Sequence, residues 1–116
     1  MQSLLSYPQD FSETAVIQPK GLYDSESADH FHTQLNQAIS SNQYSKFLID
    51  MEQVKNLDNL GLMTLVAALK VAHSSNKHFA LCSVSHPVRM ILELTQLDKI
   101  IEIVESPAIA VSAAYN

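Results

Sequence analysis

The residues with most chemical promise are Asp58, Asn59, Leu60 and Gly61, which stand immediately before an apolar helical pattern. A helix start has unpaired backbone N–H groups and the positive end of the helix dipole, so it suits an anion or a phosphorylated side chain. Asn59 offers an amide there, not a hydroxyl, so a phosphoryl group has no acceptor at that position. An amide is a good helix cap, and Asn59 is expected to suit the helix mouth in that way. Asp24 falls in a second cluster of capping types, Asp24 to Ser27, and reads first as a helix cap. The five histidines have no ligand spacing: His30 and His32 point to different helix faces, and His73 and His78 flank a turn. No metal is expected, and His73 and His86 are expected at the surface near helix ends. Cys82 lies in an apolar strand and reads as an inert core thiol. No nucleophile–base pairing and no Gly-x-Ser-x-Gly appears, and two glycines leave little room for a phosphate loop. No catalytic residue, no cofactor and no enzyme activity is expected.

Composition narrows the class further. The 116 residues suffice for one domain with one core. No apolar run approaches the roughly 18 residues of a membrane span, and no basic and apolar leader opens the chain. A single cysteine excludes an internal disulfide, so a cytoplasmic protein is expected. A net charge of -5 with only 7 Lys+Arg weighs against nucleic acid, which requires clustered positive charge. A protein partner fits better, and composition says nothing of oligomeric state.

The elements that must position Asp58 to Gly61 follow from periodicity. Residues 1–14 are mixed and polar and suggest an arm or edge strand. Thr14 to Gln18 is β-rich. Ala28, Phe31, Leu35 and Ala38/Ile39 recur at helical spacing until Ser40-Ser41-Asn42. Lys46 to Met51 is a nearly continuous apolar strand, as in a sheet covered on both faces. The next helix runs from about Asn59 to His73, with Leu62, Leu65, Val66, Leu69 and Ala72 inward. His78 to Val84 is a strand, Ser85-His86-Pro87 starts a helix with Val88, Ile91 and Leu92 inward, and Ile100 to Glu105 is a last strand. Ser106-Pro107 starts an Ala-rich helix to Tyr115. Strands alternating with helices predict an α/β domain over 15–116: a mainly parallel or mixed sheet of four to five strands with about four helices.

Gly21-x-x-Asp24 before the first helix, Asp58-x-x-Gly61-Leu62 at the second and Leu94-Thr95-x-Leu97 after the third resemble, in this order, the STAS domain of bacterial anti-sigma factor antagonists. The resemblance covers roughly Ala15 to Tyr115. It implies a partner-switching regulator that binds an anti-sigma factor or related protein of the serine-kinase type. In that family the kinase phosphorylates the first hydroxyl of Asp-Ser-Ser-Gly or Asp-Ser-Thr-Gly. Asp58 and Gly61 match the ends of that motif, Asn59 occupies the phosphoacceptor position and Leu60 the second hydroxyl position. The switch is therefore expected to be absent at Asn59. Asp24 matches a residue that lies near the acceptor in the family. The implied partner surface is Asp24, Asp58, Asn59, Leu60, Gly61 and Met63. STAS domains also dock in membrane transport complexes, and weak nucleotide binding has been associated with the fold. A transporter docking subunit and a small-ligand or nucleotide sensor are therefore the alternative readings.

Overall fold

The computed structural model describes residues 14–105. The expected arm, apart from Thr14, and the expected helix from Ser106 lie outside them. Among the described residues, four strands form one sheet in the order β1-β2-β3-β4. They are β1 (Thr14–Ile17), β2 (Lys46–Asp50), β3 (His78–Cys82) and β4 (Glu102–Val104). Among the described residues every pairing is parallel, with Ile17 beside Ile49, Ile49 beside Leu81 and Leu81 beside Ile103. Parallel neighbours require a crossover between them. Helices α1 (Ser25–Ser41), α2 (Asn59–Ser74) and α3 (His86–Leu94) supply the three crossovers. The last one also holds a 3-10 turn at Leu97–Lys99.

Side-chain alternation divides the sheet. Phe47, Ile49, Phe79 and Leu81 face the helices and pack with Phe31, Leu35, Leu65, Leu69, Val88 and Leu92 in the main core. Leu48, Ala80 and Cys82 form a separate buried cluster on the opposite face, with Val104 against it. Burial on both faces explains why β2 and β3 read as unbroken apolar runs. The inward stripe of α2 is Gly61, Thr64, Leu65, Ala68, Leu69 and Ala72. Leu62 and Val66, expected in that stripe, are only half-buried, one position off the buried line. α1 buries Ala28, Phe31 and Leu35 as its periodicity predicts, and it ends where Asn42 turns left-handed at φ 54°. A fully buried Leu or Phe contributes roughly 1.5–3 kcal/mol. A helix cap contributes about 1 kcal/mol. Packing therefore holds the helices, and the caps set where each begins.

This topology collects the helix starts. Each helix follows a strand and returns antiparallel to it, so all three N-termini lie at the C-terminal end of the sheet. Asp24, Asp58 and Ser85 cap them there.

Candidate functional site

The eight residues between β2 and α2 are fixed at both ends and along their length. Met51, Val54 and Leu57 recur every third residue and are all buried. Met51 N donates to Cys82 O at 2.9 Å, and Val54 N donates to Met51 O at 2.9 Å. A chain of polar groups ties the same end of the sheet. Gln53 Nε2 donates to Gln18 Oε1 at 3.0 Å, and Gln18 Nε2 donates to Asp50 Oδ2 at 3.1 Å. Asp50 Oδ1 accepts from Glu52 N at 3.0 Å. Asp50 is 8% exposed, and these bonds replace the water that its carboxylate loses. The burial of Asp50 and its role in holding the loop are not visible in the sequence.

The helix start itself is built by Asp58. Its Oδ1 accepts from Gly61 N at 3.0 Å, and its carbonyl accepts from Leu62 N at 3.0 Å, the first turn of α2. The cap is thus Asp58, and Asn59 is the first helical residue, which corrects the expectation that Asn59 would cap. A capping side chain must sit on the last extended residue, and Asp58 has that backbone conformation. Asn59 is exposed at the helix mouth. Leu60 is 37% exposed and Met63, one turn on, is 63% exposed. Both therefore present apolar surface. The hydroxyl of Thr64 is unavailable for modification, being buried and donating to Leu60 O at 2.7 Å.

The turn that leads into α1 meets this helix start. A Cβ built on Gly61 would stand 3.0 Å from the carbonyl oxygen of Leu22 and 2.8 Å from Leu57 Cδ2. Only a bare backbone lets α2 approach the Gly21–Asp24 turn so closely. Asp24 itself caps α1 in a capping box: its Oδ1 accepts from Ser27 N at 2.8 Å while its own N donates to Ser27 Oγ at 3.4 Å. The bonds from Ser27, backbone first, hold the Asp24 carboxyl below the usual carboxylate range. Its side chain is thus used by its own helix, and Asp24 enters the site as a fixed negative charge beside it. Two neighbours were missed in sequence. Leu22 is buried with its backbone at φ 140°, and Tyr23 is 69% exposed. Beside them lies a hollow of about 290 Å³ bordered by Pro19, Lys20, Tyr23, Glu26 and Phe31.

The remaining candidates are not among the groups that build the α2 start. His73 and His86 are exposed at the end of α2 and the start of α3. Among the described residues, no group of three or more His, Cys, Asp or Glu could hold a metal ion. Cys82 is buried, and burial, aided by the Asp50 charge, pushes its thiol up to about 11. Such a thiol is protonated and unreactive at neutral pH. No helix among the described residues is long and apolar enough to cross a membrane.

Comparison with known proteins places this geometry. The family model described as STAS domain matches residues 9–110. A Thermotoga maritima protein named provisionally as an anti-sigma factor antagonist is 28% identical over 94 residues, 81% of this chain and 83% of that one. The crystal structure of an anti-sigma factor antagonist, also named provisionally, from Thermotoga maritima superposes with a TM-score of 0.77 at 26% identity, covering 90% of this chain and 89% of that chain. The anti-sigma F factor antagonist of Paenibacillus polymyxa is 23% identical over 91 residues, 78% of each chain. The STAS domain of a SulP transporter from Vibrio cholerae shares the fold, with a TM-score of 0.73 over 88% of this chain and 80% of that one, at 20% identity.

Proposed function

The chain belongs to the STAS domain family, and from that premise we infer that it is a partner-switching regulator of the anti-sigma factor antagonist kind. It acts by binding and not by turnover. Its partner is an anti-sigma factor of the serine-kinase type or a related regulator, met in the cytoplasm through the start of α2. The observation that supports this most directly is the exposed surface of Asn59, Leu60 and Met63 at a helix mouth held rigid by Asp58 and Gly61. The relatives named as antagonists of anti-sigma factors supply the partner class.

Asn59 gives this protein a different regulation from the family pattern. A phosphoserine at a helix start brings about -1.5 to -2 charge and can drive a partner away. The Asn59 side chain stays neutral and cannot accept a phosphoryl group, so the surface remains in its partner-competent state. The test is incubation with a purified serine-kinase-type anti-sigma factor from the same genome and ATP, followed by mass spectrometry. The kinase binds, and position 59 stays unmodified. The Asn59→Ser variant gains phosphate. If Asn59→Ser binds the kinase normally and remains unmodified, the geometry of the site differs from the family's and the assignment of position 59 is wrong. If no such kinase binds the native chain, the partner class is wrong.

A further inference from the structure

The geometry points to Tyr23 as the aromatic anchor of the partner contact, inserted into an apolar protein surface that is ringed by cations. This rests on the partner-binding reading of the α2 start and adds to it a residue from a different element. The backbone forces Tyr23 outward. Gly21 has φ 131° and Leu22 has φ 140°, a region that a residue with a side chain rarely enters. Leu22 is held in that conformation because its side chain is 2% exposed and packed in the main core. Its carbonyl at the same time meets the α2 start at Gly61. With Leu22 turned inward and α1 beginning at Ser25, Tyr23 projects into solvent and is 69% exposed.

The ring is nevertheless not loose. A Cβ on residue 21 would collide with Cε1 and Cδ1 of Tyr23, so the ring lies over the bare backbone of Gly21. A large side chain already pinned in place loses little conformational freedom when a partner covers it. Tyrosine in such a position is among the residue types that dominate interface energetics. Tyr23 supplies the exposed apolar surface of the hollow, whose floor is the buried Pro19 and Phe31. The charged groups that border the hollow are Asp24 and Glu26 against Lys20, with His30 beside them, in a chain of net charge -5, and this acidic excess favours a cationic rim on the surface that receives Tyr23. Strain at Leu22, contact with Gly61 and an exposed pinned aromatic ring thus occur within three consecutive residues.

The experiment measures affinity for purified serine-kinase-type anti-sigma factors from the same genome by biolayer interferometry, with melting temperatures recorded alongside. Tyr23→Ala is expected to weaken binding at least about thirty-fold, and Tyr23→Phe to stay within about threefold, both at native melting temperature. The association rate falls as salt is raised. In the free protein, the Gly21 Hα resonances are shifted upfield by the Tyr23 ring, and the shift disappears in Tyr23→Ala. If Tyr23→Ala fails to fold, Tyr23→Leu takes its place with a loss of about tenfold. Native affinity in the Tyr23 variants together with lost affinity in Leu60→Ala and Asn59→Asp overturns the anchor and leaves the α2 surface standing. Native affinity in all of them, or no binding by the native chain, overturns both.

Discussion

The α-carbon of Gly61 stands so close to the backbone of Leu22 that a methyl group at position 61 would lie 3.0 Å from the Leu22 carbonyl oxygen. The other near atom, Leu57 Cδ2 at 2.8 Å, is a side-chain tip and can move. The carbonyl cannot, because Leu22 is itself buried and held in an unusual conformation. Gly61→Ala is therefore expected to push α2 away from the α1 turn. Overpacking costs about 1–3 kcal/mol. The gain in helix propensity, at most about 1 kcal/mol, offsets part of it. A net loss of about 1–2 kcal/mol corresponds to a fall of several degrees in melting temperature. A native melting temperature in Gly61→Ala would show that the two elements are not in this contact.

The cap gives a sharper separation between neighbouring residues. Asp58→Ala removes the acceptor for Gly61 N and is expected to lose about 1 kcal/mol. Asp58→Asn keeps an acceptor and stays near native stability. Asn59→Ala, one residue inside the helix, changes stability within about 0.5 kcal/mol. Urea denaturation of the three variants decides the assignment. A large loss in Asn59→Ala and none in Asp58→Ala would move the cap to position 59.

Much of this architecture is legible in the residue pattern alone. The alternation of apolar strands with 3.6-residue helical stripes placed β2, α2 and β3 to within about two residues at each end, because packing and periodicity agree there. The strand ends were read too long, as at Met51 and Val84, because apolar residues continue past the last ladder bond into pinned loops. Position 22 against position 23 was not readable at all. Which of two adjacent apolar residues turns inward depends on backbone angles near φ 130–140°, which residue types do not report. The same holds for Asp50, whose burial depends on Gln18 from 32 residues away.

Cys82 links the second face of the sheet to pH. Its ordinary value is 9.0 and its folded value about 11, raised by burial first and by Asp50 second. Below about 9 the thiol is protonated in both states and stability is independent of it. As pH rises from 9.0 toward about 11, the unfolded chain ionises first, so the stability that depends on the protonated thiol is progressively lost. Urea midpoints of the native chain are expected to fall more steeply over that interval than those of Cys82→Ala. At neutral pH, Ellman's reagent should react with native protein only as fast as it opens. Immediate reaction would place the thiol at the surface.

The surface at the start of α2 can be tested without confusing binding with folding. Asn59→Asp adds one negative charge in the first turn. The helix dipole favours it by about 0.3–1 kcal/mol, so the melting temperature holds or rises. The same charge would have to be desolvated in a complex, at about 2–5 kcal/mol if unpaired, so affinity falls. Met63→Ala removes a side chain that is 63% exposed, so it too leaves stability nearly unchanged. If Met63 is covered by the partner, its loss weakens binding by roughly 1–2 kcal/mol. Leu60→Ala differs from both, because Leu60 is only 37% exposed and its truncation lowers folding stability along with affinity. The expected pattern is therefore two variants of native stability with reduced affinity, and one reduced in both. Affinity for a purified serine-kinase-type anti-sigma factor, measured beside the melting temperature, distinguishes this from a structural role. Unchanged affinity in Asn59→Asp and Met63→Ala would mean that this end of the sheet is not where the partner sits.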